Sequence, residues 1–297
     1  MGFLTSKKTR RFGYAIYGIL LTCTFLYYRF PSDSFCEYFA TNFNNIFPKY
    51  GLLIDNISPS LPFGLKLINA RINTLQNNAR QIDIEKLYLE PMILSYFHGD
   101  LKYRFSANIY GGGLNGQIYF PDGVIGSPFT AELKMEDLNI GENSILPNLT
   151  GQHMEGLLSG NILFNSKDGF IQGSSGDGVL YISDGYIRLP KPVLSLESIN
   201  FNRLQIKLTL SNMRLNLIGL ELRSNEMFAE ASGSLLLNKD LPLSNLDIRG
   251  NIEPNADLLK IITSFQDTTT SLRNRLKEGK IPFVIQGTIL MPVVEFI

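Results

Sequence analysis

From Leu52 to Met291 apolar and polar residues alternate with a period of two, which restricts this stretch to strands with one apolar and one wet face. The pattern predicts strands over 52–58, 63–72, 82–91, 101–110, 114–120, 129–140 and 155–165. Six more follow over 178–189, 204–212, 214–224, 228–238, 243–253 and 282–291. Leu204, Ile206, Leu208 and Leu210 point one way, and Gln205, Lys207 and Thr209 the other. Leu215 and Leu217 repeat this, then Leu220 and Leu222 past a slip at Gly219. Asp122-Gly123, Asp168-Gly169, Asp177-Gly178 and Asp184-Gly185 suit tight hairpins. Short spacing favours an antiparallel meander over βαβ units.

One helix precedes this pattern and one interrupts it. Phe35, Tyr38, Phe39, Phe43, Ile46 and Phe47 form a stripe in steps of three and four over 32–48, which Ser32, Asp33 or Ser34 caps. It packs on the first strands, lies at a membrane interface through Phe35, Phe39, Phe43 and Phe47, or does both. Over 256–277, Leu258, Ile262, Phe265, Thr269, Leu272 and Leu276 repeat likewise, with Asn255 at the start and Gly279 at the stop. Arg273, Arg275 and Lys277 suit the negative end of that helix, which is expected to plug one end of the sheet. Two helices cannot cover so long an apolar face. The sheet must curl, close, or leave a trough. An outer-membrane barrel is disfavoured beside an inner-membrane anchor.

That anchor is expected over 12–30. Phe12 to Tyr28 are seventeen residues without a charge, roughly 26 Å of helix at about 1.5 Å per residue. Its lipid-facing candidates are Phe12, Ile16, Leu20, Leu21, Phe25 and Tyr28. Lys7, Lys8, Arg10 and Arg11 precede the run, and Tyr27, Tyr28 and Arg29 follow it. The first acidic residue is Asp33. The basic tail, 1–11, therefore stays in the cytoplasm and the bulk is exported. A cleaved signal peptide lacks its small-residue site before Tyr27-Tyr28-Arg29-Phe30. Thr9-Arg10-Arg11-Phe12 is a weak twin-arginine signal. Cys23, as a lipidation site, lacks the small residue expected before it.

The part after the anchor holds 22 basic and 27 acidic residues. That balance argues against nucleic acid. Cys23 and Cys36 are too far apart along a helix to bridge, so the exported part depends on packing and strand pairing. His98 and His153 have no cysteine or carboxylate at metal-ligand spacing and read as turn or surface residues. No Gly-x-Ser-x-Gly elbow is present. Gly173–Gly178 reads as a turn, and Gly111-Gly112-Gly113 precedes neither a helix nor Lys-Ser/Thr. Asn148-Leu149-Thr150 matches a glycosylation acceptor that often arises by chance. No catalytic residue, cofactor or metal is expected.

The stretch Gly51-Leu52-Leu53-Ile54-Asp55-Asn56-Ile57-Ser58-Pro59-Ser60-Leu61-Pro62-Phe63-Gly64-Leu65-Lys66-Leu67, after an anchor and an aromatic helix, resembles the type II secretion system protein N family of diderm bacteria. Gly185–Pro190, the strands at 204–210 and 215–222, Ala231–Leu237 and Pro282–Pro292 resemble AsmA-like modules, to which that family is related. The resemblance implies a mainly β fold: a long curled antiparallel meander, or β-groove, over 51–297. Two sub-modules meeting near 141–153 are possible in that arrangement. It also implies a single-pass inner-membrane accessory of the type II secretion machine, with its bulk in the periplasm, that contacts other secretion subunits. The alternative is a lipid-binding or lipid-transfer module that holds phospholipid acyl chains in an apolar groove. The groove candidates are Leu180, Ile182, Leu204, Ile206, Leu208, Leu215, Leu217 and Leu235, for which ordinary core is the plainer reading. For a scaffold, the strand Phe283–Leu290 is expected to offer an exposed edge to a partner.

Overall fold

Alternation with short turns builds the whole sheet by nearest-neighbour pairing. In the computed structural model the described residues are 7–46, 50–74, 80–125, 128–141, 153–167, 173–193, 196–238, 240–264 and 279–297. Two helices come first, α1 (Lys7–Tyr28) and α2 (Ser32–Ile46). The sheet then starts with β1 (Tyr50–Ser60), β2 (Gly64–Thr74) and β3 (Arg80–Pro91). After the short α3 (Ile93–Tyr96) come β4 (Leu101–Ile109), β5 (Gly112–Phe120), β6 (Phe129–Asn139) and β7 (Met154–Ser166). Next are β8 (Ser175–Val193), β9 (Leu196–Ser211), β10 (Arg214–Arg223), β11 (Met227–Leu236) and β12 (Asn245–Pro254). The chain closes with α4 (Ala256–Ser264), β13 (Ile281–Thr288) and β14 (Pro292–Phe296). The fourteen strands form one antiparallel sheet in sequence order, a pure meander.

Three expectations are corrected. Asp177-Gly178 and Asp184-Gly185 are not hairpins but lie inside β8. Asp184 there takes φ 49° and Gly185 sits against the Phe201 ring, so the pair marks a local irregularity and a close approach rather than a reversal. Asp122-Gly123 does form a turn, with the Gly123 amide donating to the Phe120 carbonyl at 3.3 Å. Phe283–Leu290 is not the sheet edge, because a fourteenth strand, β14, pairs with β13 from Gly287↔Pro292 to Phe283↔Phe296. Its five residues have too short an alternation to stand out. In the slip in β10, Ile218 is the extra residue, 62% exposed, between Leu217↔Leu208 and Gly219↔Lys207. Of the predicted 256–277 helix, 256–264 is helical and 265–278 lies outside the described residues. Phe265, Thr269, Leu272, Leu276, Arg273, Arg275 and Lys277 fall there, as do Phe47, Asp168-Gly169 and Asn148.

Asn255 caps α4: its Oδ1 accepts from the amides of Leu258 at 2.8 Å and Asp257 at 3.1 Å. Near the entry to β13, the Lys280 ammonium lies 2.6 Å from Glu253. Hydrogen bonding to that carboxylate, with its charge, holds Lys280 above the usual lysine value. Asn139 and Met154 end β6 and begin β7, two strands that pair directly, so the sheet is continuous from one side of 141–153 to the other.

Surface area is large for a chain of this mass, through the exposed α1 as well as the partly covered sheet. A compact monomer of 33.4 kDa exposes about 12,600 Å²; this chain exposes 19143 Å². Among the described residues, Ile57 and Ile281 are the only large side chains buried to below 2% exposure.

Candidate apolar trough

Residues paired directly across antiparallel strands share a face, so the register assembles each row of the trough wall. One row reads Pro59, Leu65, Leu89, Phe105, Gly116, Leu133 and Ile162 across β1 to β7. It continues through Gly178, Leu208, Leu217, Gly233, Ile248, Ile285 and Val294 to β14. The rows on either side are also apolar. The opposite face is polar: Arg71 pairs with Asp55 at 2.7 Å, and Arg203 lies over the Tyr181 ring at 4.9 Å. This is an amphipathic sheet with its apolar side only partly covered.

The eight groove candidates all fall on the apolar face, in four adjoining rows. Ile182 and Leu204 are paired and belong to the buried cluster, and Ile206, opposite Leu180, packs against that cluster. Leu208 pairs with Leu217 and Leu215 with Leu235. Leu180, Leu208, Leu215, Leu217 and Leu235 are half-buried and are not part of the cluster. The buried cluster sits towards one end of the strands, where Ile140, Ile182, Phe201, Leu222, Ile252 and Ile281 enclose Leu258 of α4. That end is sealed by side chains.

Towards the other end the wall stays open. An open cavity of about 660 Å³ spans β4 to β8. It is lined by Phe105, Gly116, Leu133, Ile162 and Gly178, with the residues before and after each in its strand. Its size lies within the range of ligand pockets, roughly 300–1,000 Å³. Nearby, the rings of Tyr103, Phe120, Phe129 and Phe164 form a ladder across four strands, with centroids 6.3, 5.8 and 5.8 Å apart.

Glycines shape the wall. Gly116 faces Phe105, Gly185 faces Phe201 and Gly250 faces Phe283 across neighbouring strands. A Cβ added at Gly116 would come within 2.6 Å of Phe105 Cζ, and one at Gly250 within 2.6 Å of Phe283 Cζ. Each ring lies down over its glycine instead of standing up into the trough. Alternation alone missed Phe105, Leu133 and Ile162 as wall residues; the signal available was a glycine inside a strand pattern at 116 and 178.

The helical candidates fall in two places. Phe35, Phe39 and Phe43 of α2 are half-buried towards β1, while Tyr38 on the far side is 63% exposed. Ser32 does not cap α2. Its Oγ accepts from the Ile57 amide at 3.0 Å, and Asn44 Oδ1 accepts from the Leu52 amide at 3.2 Å. Phe12, Ile16, Leu20, Leu21, Phe25 and Tyr28 of α1 are all exposed. Among the described residues no helix is long and apolar enough to cross a membrane. The uncharged run of α1 stops at Arg11 and contains four tyrosines, two glycines and two threonines.

His98 lies in the turn after α3, its Nδ1 2.9 Å from the Leu94 carbonyl. His153 precedes β7, 3.9 Å from Glu155. Among the described residues no group of three or more His, Cys, Asp or Glu is placed to hold a metal ion. No protein-family model, curated protein or solved structure matches the chain.

Proposed function

We propose that this is a membrane-attached, non-catalytic module that holds the acyl chains of phospholipids against the apolar face of its sheet. The observation that carries this reading is the unbroken apolar row from Pro59 to Val294, half-buried along most of its length and sealed at one end only. Leaving such a surface to water is unfavourable by about 25 cal/mol per Å², so a chain that retains it has a ligand or partner for it. An acyl chain matches a long, narrow, apolar wall without polar anchors.

Attachment is assigned to α1. Its described apolar side chains are exposed, and cations precede the run while Tyr27, Tyr28 and Arg29 follow it. At seventeen uncharged residues the run is about 26 Å long, with its aromatic ends at headgroup level making up the rest of the bilayer. The positive-inside rule then puts the sheet on the outer side of an inner membrane.

Full-length protein extracted in mild detergent tests the reading by mass spectrometry of bound lipid. Phospholipid is expected with the wild type and is lost in Leu208→Arg or Leu217→Arg. A lipid-free wild type would refute lipid binding.

A second reading, an accessory subunit of the type II secretion machine, draws on the resemblance of residues 51–67 and on one edge of the sheet. Among the described residues β14 pairs only with β13, and Val293 and Val294 on it are exposed. A strand from another envelope protein fits there. Pull-down of secretion subunits that Val294→Pro abolishes would support this reading, and the absence of such subunits would count against it.

A further inference from the structure

In a pure meander every turn from an odd to an even strand lies at one end of the sheet, and every other turn lies at the opposite end. Among the described residues, exposed apolar side chains are divided unequally between them. Five of the seven odd-to-even turns present them among the described residues, including Leu61 (78%), Leu94 (78%), Phe97 (77%), Ile125 (68%) and Met291 (73%). The described turns at the other end, Tyr110-Gly111, Ser224–Glu226 and Asn255, expose no large apolar side chain.

These turns are built, so their exposure is imposed by structure. Ser95 Oγ accepts from the Lys102 amide at 3.1 Å and donates to the Met92 carbonyl at 2.8 Å, which fixes α3 with Leu94 and Phe97 outward. The turn between β13 and β14 is tied to the preceding odd-to-even turn by the Leu290 amide on the Pro242 carbonyl, 3.0 Å, and by Ile289 on Ser244, 3.1 Å. Apolar side chains held outward together along one rim mark an interaction surface.

The start of α2 lies at the same end. β1 runs towards its turn at Leu61, and Ile57, near that turn, donates to Ser32. Tyr28, the last residue of α1, is four residues before Ser32. The chain therefore leaves α1 beside the apolar turns and beside the open end of the trough.

We propose that this rim of turns docks onto the bilayer that holds α1, with Leu94, Phe97, Ile125 and Met291 entering the interfacial layer so that the open end of the trough meets lipid. The inference rests on the membrane reading of α1 and adds a second contact. A protein partner is the competing occupant. Lipid is favoured because α1 leaves the sheet at this end and because aromatic and aliphatic side chains protrude together, as at membrane interfaces. Asp100, Asp122, Lys167 and Asp240 are the charged residues of the described rim turns, a set with only one cation, so docking needs no anionic lipid.

The test uses the full chain with Cys23→Ser and Cys36→Ser, carrying one fluorophore-labelled cysteine, in phosphatidylcholine vesicles whose acyl chains are partly brominated. Phe97→Cys, Met291→Cys, Asn225→Cys and Ile16→Cys are compared. Labels at 97 and 291 are expected to lose fluorescence to bromine, while the label at 225 keeps it. Quenching at 16 but not at 97 or 291 would overturn the rim and leave the anchor standing; so would equal quenching at 97 and 225. An unquenched label at 16 would refute the anchor itself. Positions 97, 291 and 225 lie in turns and 16 on exposed α1, so labelling leaves the fold intact.

Discussion

Ser32 Oγ accepts a hydrogen bond from the Ile57 amide at 3.0 Å, and through it the first residue of α2 is fastened to the first strand of the sheet. Asn44 repeats the contact twelve residues later on Leu52, so α2 lies along β1 and satisfies two of its amides. An uncovered edge invites pairing with other chains, and this edge is covered.

Ser32→Ala is therefore expected to destabilise the chain by about 0.5–1.5 kcal/mol, the usual net worth of one such bond. Ser32→Ala with Asn44→Ala is expected to add self-association. Thermal unfolding and light scattering read the two effects. Unchanged stability in both variants would remove α2 from the role of edge cover.

Sealed and open parts of the apolar face respond differently to truncation. Ile281 is fully buried in the cluster, and Ile281→Ala is expected to cost about 2–5 kcal/mol. Leu208 and Leu217 are half-buried trough wall. Leu208→Ala removes less packing and is expected to cost clearly less in urea unfolding. Equal losses at 281 and 208 would mean that the trough is a filled core.

Phenylalanine rings laid over cross-strand glycines keep the trough shallow. Gly250→Ala forces a methyl group against the Phe283 ring and the Glu230 carbonyl, a strain of about 1–3 kcal/mol. Gly250→Ala with Phe283→Leu is expected to recover part of that loss, because the ring is the movable obstacle. A double variant no more stable than the single one would place the strain on the backbone of β11.

Asn255 links two elements. Besides capping α4, its Nδ2 donates to the Asn225 carbonyl at 2.7 Å. Asn255→Ala is expected to cost about 0.5–2 kcal/mol as a lost cap and to raise hydrogen exchange of the Leu258 amide. Protection unchanged at Leu258 would show that packing alone holds α4.

The sheet was legible because alternation is a local signal: Leu204 to Leu210 and Leu215 to Leu222 announce their faces without reference to any partner. Pairing was legible for the same reason, since each strand of a meander meets its sequence neighbour. Asp184-Gly185 misled because the dipeptide chemistry of a hairpin also suits an irregularity inside a long strand, and only the approach of Phe201 from β9 separates the two. β14 was missed because Pro292–Phe296 is too short to show a period. The trough candidates were found in β8 to β11, where Leu and Ile are dense. The cavity wall at Phe105, Leu133 and Ile162 was not, because its row is completed by glycines that carry no hydropathy signal. The rim was invisible in sequence: Leu94, Ile125 and Met291 lie far apart in the chain, and only the common direction of the turns brings them to one end.

Photo-crosslinking from the trough wall tests the central claim most directly. Leu208 lies on the apolar face, and its neighbour Lys207 faces the other way. With p-benzoylphenylalanine at one or the other position in the full-length, membrane-embedded protein, a phospholipid adduct is expected from position 208 and none from 207. No adduct at 208, or equal adducts at both positions, would contradict an acyl-binding trough.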